Sequence, residues 1–207
     1  MTLSGVDASS LQNPLCTDWR AIGRAGNVFA FLRASEGFTP DSAYVRHRDA
    51  ARAAGLLTGA YSFWRPRHSP EVLVDTFFSV TGDDPWSLPP VLDLESEDKA
   101  DTLPPAALLD HVSHGLELME ARSGSRPIVY VGPGFADKHL PPNHDLGSKA
   151  SLWLAAYLPK PLLPKGWTEY LFWQWSGSAR VPGYAGKADV SRYEGTLDEL
   201  NSLAGGL

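Results

Sequence analysis

The chain has 207 residues, 43% hydrophobic and 20% charged, enough for one large domain or at most two small ones with a full core, and ordinary for a soluble globular protein. Eighteen basic against 24 acidic side chains give a net charge of −6, with no basic stripe to track phosphates, so nucleic acid is not expected as a partner. No apolar run reaches the roughly 18 residues that span a membrane, no signal peptide is read at the start, and the single cysteine, Cys16, forms no internal disulfide and is expected in the core.

Taken in order, the apolar runs rich in branched and aromatic residues predict strands at 4–9 (SGVDAS), 28–35 (VFAFLRAS), 56–64 (LLTGAYSFW), 89–95 (PPVLDLE), 127–133 (PIVYVGP), 151–158 (SLWLAAYL), 170–176 (YLFWQWS) and 188–194 (ADVSRYE). Helical patterns fall between the early ones. Residues 41–55 end at Gly55, 69–80 offer Ser69 as N-cap with Pro70 in the first turn, and 104–124 repeat apolar residues at 108, 112, 116 and 119. Strands alternating with helices indicate a parallel sheet, and eight of them in about 200 residues suggest a closed barrel. After residue 124 helices become sparse, and the segments GPGF, LPPNHD and PKPLLPKG read as loops. No repeat or linker divides the chain, so residues 1–207 are expected as one domain without a separate binding module.

The segment PPVLDLE sets Asp93 and Glu95 two positions apart in a strand, hence on one face, with α-carbons roughly 6.6 Å apart. Burying two like charges together is costly unless one takes a proton or finds a cation. In a barrel of this kind the chemistry sits at the C-terminal ends of the strands, where Asp7, Glu36, the Asp93/Glu95 pair and Asp189 all fall. Closing the barrel makes the first and last strands neighbours and gathers these acids at one mouth. Paired acids suit glycoside cleavage, which needs one protonated and one ionised carboxyl group. Flat aromatic walls for a sugar are offered by Tyr61, Phe63, Trp64, Tyr130, Tyr157, Trp173 and Trp175.

His111 and His114 lie three apart on the long helix, but no third ligand is near and a solvated face is the better reading. No dinucleotide, phosphate-loop or Gly-x-Ser-x-Gly pattern is present, and neither metal nor cofactor is expected.

Eight segments in register resemble the glycoside hydrolase family 25 lysozymes: GVDASS, LRASEG, GAYSFWRP, PPVLDLE, RPIVYVGPGF, LWLAAY, FWQWSGSARVPG and ADVSRYEG. The resemblance implies a flattened TIM-like α/β barrel of eight strands and about five helices. It implies hydrolysis of the β-1,4 bond between N-acetylmuramic acid and N-acetylglucosamine in peptidoglycan. Carried over, Glu95 is the general acid, Asp93 steadies the reacting centre, and Asp7 and Asp189 complete the cluster. Tyr61 donates a hydrogen bond into it, and Trp173 and Gln174 line the sugar groove, with Arg33, Glu36, Phe63, Tyr130 and Tyr157 as further substrate-binding positions. Arg33 stands where the family usually has lysine, and Ser62 where it usually has histidine after the tyrosine. The other readings are an inactive carbohydrate-binding barrel and a hydrolase of another aminosugar polymer such as chitin. A monomer is expected, without membrane insertion, acting on the bacterial wall after endolysin-like release from the cytoplasm or export by another route.

Overall fold

Side chains on a strand alternate between two faces, and in a closed barrel one of those faces is the interior. The protein, described here by a computed structural model covering residues 2–82 and 88–204, forms one nine-stranded sheet. The strands are β1 Thr2–Ala8, β2 Asn27–Glu36, β3 Thr39–Pro40, β4 Leu57–Phe63, β5 Val91–Asp93, β6 Ile128–Val131, β7 Ser151–Ala155, β8 Phe172–Ala179 and β9 Ala188–Glu194. Their order is β1-β9-β8-β7-β6-β5-β4-β2-β3, and β1 also pairs with β2. Eight strands therefore close on themselves, and β3 is a short addition on the edge of β2. Among the described residues seven α-helices accompany them: α1 Trp19–Arg24, α2 Tyr44–Ala53, α3 Pro70–Thr81, α4 Pro105–Ser123, α5 Pro133–His139, α6 Leu146–Lys149 and α7 Leu197–Ala204.

The expected α/β barrel is present, with the regular helices α2, α3 and α4 in its first half and only short ones after α4. Local chemistry accounts for three that the periodicity did not single out. Asp18 caps α1 by accepting from the Ala21 N–H at 3.0 Å. Thr196 and Glu199 form a reciprocal capping box at the start of α7, Glu199 N–H to Thr196 Oγ1 at 3.2 Å and Thr196 N–H to Glu199 Oε2 at 2.7 Å. The GPGF segment, expected as loop, instead opens α5 with Pro133 in its first turn.

All pairings are parallel except those of β9, which runs antiparallel to both β1 and β8, and of β3. A uniformly parallel barrel is thus corrected at its closing strand. The link between β8 and β9 covers only residues 180–187, too short for the crossover of a dozen or more residues that a parallel pair needs.

The interior is filled with rings. Phe29, Phe31, Tyr130, Trp153, Phe172 and Tyr193 pack there with Val91 and Ile128, all buried. Phe31 lies 4.4 Å from Trp153 and 5.1 Å from Phe172, centroid to centroid. Two glycines make room for rings that reach across. A Cβ on Gly5 would stand 2.3 Å from the Phe29 ring, and one on Gly59 2.5 Å from the Phe31 ring. The opposite face of the same strands, including Val6, Leu32, Leu92, Val129, Leu154 and Val190, packs outward in a second cluster with residues of the helices such as Leu73, Phe77, Val112 and Leu116. Cys16, expected in the core, is exposed on the loop after β1.

Because Phe31 is wedged between other buried rings, it has nowhere to retreat from an added methyl group. Gly59→Ala is expected to lower stability by about 1–3 kcal/mol, read as a lower midpoint in urea with an unchanged slope.

Candidate active site

Following the inward parity of each strand toward the C-terminal ends of the parallel strands leads out of the aromatic plug into a pocket of ≈ 200 Å³. Inward positions that hold rings lower down hold polar groups here: Asp7 on β1, Arg33 on β2, Tyr61 on β4, Asp93 on β5 with Glu95 just beyond it, Tyr130 on β6 and Gln174 on β8, with the Phe63 ring of β4 beside them. Asp189 joins them from β9. Its placement at a strand's C-terminal end is corrected: it is the second residue of β9, and the antiparallel direction of that strand brings its beginning to the mouth.

Asp7 and Asp93 are buried, at 8% and 5% exposure, Asp189 is half-buried, and Glu95 stands exposed at the rim. Burial pushes Asp7 and Asp93 well above the usual carboxylate range. The charges of Asp189 and Glu95 push Asp7 further the same way, while Gln174 opposes by donating to it. For Asp93 the added repulsion comes from Glu95 and Asp7. Glu95 is raised because the pocket walls withdraw solvent from its carboxyl and because Asp189 is near. Burial raises Asp189 as well. Such a set resists carrying four charges at once, so it holds acid and base forms together.

One amide organises the floor. Gln174 is buried, and its Oε1 accepts from Tyr130 Oη at 2.8 Å and from Tyr157 Oη at 2.6 Å. Both of its acceptor sites are then occupied, and its Nε2 donates to Asp7 Oδ2 at 2.8 Å. Tyr184 Oη donates to the backbone carbonyl of Asp7 at 2.7 Å. By contrast Asp93 Oδ1 is buried with no hydrogen-bond partner, an acceptor held ready in the wall.

Among the positions read from the sequence, Asp7, Asp93, Glu95, Asp189, Tyr61, Arg33, Phe63, Tyr130, Tyr157 and Gln174 come together around this pocket. Trp173 does not. It neighbours Gln174 on β8, so parity turns it outward into the cluster beneath the helices, where its Nε1 donates to the Ala156 carbonyl at 2.7 Å. Trp64 and Trp175 belong to that outer face too. Glu36 lies outside the pocket, in ion pairs with Arg33 and Arg65. Ser62 also faces away, its Oγ 3.0 Å from that of Ser35, so this departure from the family pattern does not touch the pocket. Arg33 does line it, with Nε on Asp41 at 2.8 Å and Nη2 on Ser10 at 3.0 Å.

Sequence reasoning missed Trp153, Ser9, Leu11 and Gln12. Trp153 follows the same alternation as Tyr130 on the adjoining strand, and its Nε1 donates to Ser191 Oγ at 2.9 Å. The loop bearing Leu11 and Gln12 is fastened by His47, whose Nδ1 accepts from Trp19 Nε1 at 3.2 Å and whose Nε2 donates to the Gln12 carbonyl at 2.9 Å. Of the two histidines read as a solvated face, His114 is exposed and bonds Glu71, while His111 is half-buried between Trp64 and the His68 carbonyl. Among the described residues no group of three or more His, Cys, Asp or Glu side chains is placed to hold a metal ion, and no helix is long and apolar enough to cross a membrane.

The family model for glycosyl hydrolases family 25 matches residues 6–184. Lysozyme M1 of Streptomyces globisporus is 26% identical, the alignment covering 98% of this chain and 71% of that protein. The uncharacterised protein YegX of Escherichia coli strain CFT073 is 30% identical over 100% of this chain and 75% of its own length. Among solved structures, the bacterial lysozyme from Streptomyces coelicolor superposes with a TM-score of 0.91 at 27% identity, covering 98% of this chain and 96% of that one.

The raised carboxyls carry a stability signature. A carboxyl with a higher pKa folded than unfolded binds more protons in the folded state, so it costs stability as pH rises past the unfolded value near 4. Asp93→Asn is therefore expected to stabilise the protein at pH 7 by about 0.5–2 kcal/mol. In thermal unfolding compared across pH, the gap should close as pH falls toward about 3.

Proposed function

The chain belongs to glycosyl hydrolases family 25 and is a peptidoglycan hydrolase with lysozyme activity, and from that premise we propose that Glu95 is the general acid and Asp93 the carboxylate that steadies the reacting sugar. In this reading residues 1–207 work as one catalytic unit on the β-1,4 bond between N-acetylmuramic acid and N-acetylglucosamine. The protonated Glu95 gives its proton to the glycosidic oxygen as the bond from that oxygen to C1 breaks. The acetamido oxygen of the same sugar forms a bond to C1. Asp93 accepts the acetamido N–H and offsets the positive charge that develops on the ring. Water then attacks C1, the ionised Glu95 takes its proton, and the acetamido group is restored, with net retention at C1.

The observation that carries this reading is the contrast within the pair: Glu95 is raised in pKa yet open to the rim, while Asp93 offers a buried oxygen without a partner. Asp7 and Asp189 keep the electrostatic balance of the cluster, and Tyr61 donates toward it. Arg33, Phe63, Tyr130, Tyr157 and Gln174 shape the sugar's surroundings. The enzyme acts as a monomer on glycan strands, reaching the wall by endolysin-like release from the cytoplasm or by another export route.

Mass spectrometry of borohydride-reduced fragments from purified peptidoglycan tests the assignment. Wild type should yield muramitol ends, and Glu95→Gln should lower their rate of appearance by about 10²- to 10⁴-fold. NMR of the first-formed anomer should show retention, and net inversion would remove the acetamido step. The sign of the pH response follows from the same geometry. A general acid works while protonated, and the Asp189 charge helps keep Glu95 so. Asp189→Asn should therefore move the alkaline limb of kcat/KM to lower pH, and a limb that stays put or moves up would detach Asp189 from Glu95.

A further inference from the structure

Beside the catalytic pocket lies a second cavity, of ≈ 480 Å³, walled by the loop after β1, the β2–β3 hairpin and the loop after β4. Arg33 lines both cavities, so the two lie back to back with its side chain as their shared wall. Phe38 lies in its wall, at 59% exposure among the more exposed large apolar side chains of the molecule, with the His68 ring edge-on at 4.8 Å. Arg65 lies under the cavity, stacked 4.6 Å over the Phe63 ring, and its Nε is buried with no hydrogen-bond partner.

The charges of this compartment argue against an anionic occupant. Arg33 is bound by Asp41 and Glu36, Arg65 by Glu36 and Asp101, and Arg67 by Asp98 and Asp101. Three cations face four carboxylates, so a carboxylate or phosphate would meet a network already neutralised and slightly negative. What remains is a mixture of hydrogen-bond donors and acceptors at short range beside one exposed aromatic ring. A neutral ring with hydroxyl and amide groups at its edge and an apolar face uses all three features.

We propose that this cavity is a further sugar-binding subsite that holds an N-acetylated pyranose of the same glycan strand, with Phe38 as its platform. The inference rests on the lysozyme reading of the adjoining pocket and extends it along the strand. Phe38, His68 and Arg67 then set how much of the chain the enzyme grips and leave the bond-breaking step alone.

The test uses peptide-free glycan oligomers, a tetrasaccharide and an octasaccharide, with wild type, Phe38→Ala and Phe38→Trp. Phe38→Ala should raise KM on the octasaccharide about three- to tenfold, the worth of one aromatic contact, with kcat unchanged and the tetrasaccharide unaffected. Phe38→Trp should restore the octasaccharide KM. The same length-dependent loss should appear as weaker octasaccharide binding by calorimetry in a Glu95→Gln background, where turnover plays no part. Equal effects on both lengths, no effect on either, or a loss seen only with strands that carry peptide stems would overturn the subsite. Failure of the wild type to cut any glycan would strike the lysozyme reading, and the calorimetric comparison would still judge the subsite.

Discussion

Everything at the mouth of this barrel depends on what fills its interior. Phe29, Phe31, Trp153 and Phe172 close the lower part with a dry plug of rings, so Asp7 and Asp93, directly above, have apolar material on one side and only a narrow opening on the other. In such surroundings a carboxylate loses much of its hydration, and like charges repel through a medium that screens poorly. The cluster meets this by holding protons to higher pH than ordinary carboxyls do, and a general acid works only while it holds its proton. Packing and chemistry are consequences of one alternation: the inward positions that carry rings low in the strands carry acids near their upper ends.

The polar groups around the acids are arranged to limit the ways that proton can be placed. With both Oε1 sites of Gln174 occupied by Tyr130 and Tyr157, its Nε2 points at Asp7 Oδ2 and requires that oxygen to accept. A proton on Asp7 must then sit on its other oxygen. Tyr130 sits against Trp153 at 4.8 Å between ring centroids, and Trp153 is tied to Ser191 on the closing strand. The orientation of the amide is thereby anchored in the aromatic plug. Rigidity of this kind has a function, because an acid displaced by about 1 Å loses much of its catalytic advantage.

Much of this was legible from the residues. PPVLDLE placed two acids on one face, and β5 with the residues after it carries them there. The strand segments followed from apolar runs, and closure brought Asp7 and Asp189, far apart in sequence, into one pocket. Of the readings that went astray, two show the physical reason most directly. Trp173 was taken with Gln174 as a pair, although adjacent residues on a strand face opposite ways, and its indole lies beneath the helices. The direction of β9 was hidden because its residues look like those of any other strand. Only the length of the 180–187 link carries that information. Trp153 and the loop fastened by His47 were harder to find, since an indole in an apolar run signals core filling equally well, and a loop reveals its partner only in three dimensions.

The most direct test of the account is a titration of the carboxyl carbons of Asp7, Asp93, Glu95 and Asp189 by ¹³C NMR, in wild type and in Glu95→Gln. If buried acids share fewer charges than they have carboxyls, Asp7 and Asp93 will titrate well above ordinary aspartates. Removing the Glu95 charge will bring Asp93 down. Four independent titrations in the ordinary range near pH 4, indifferent to Glu95→Gln, would contradict it.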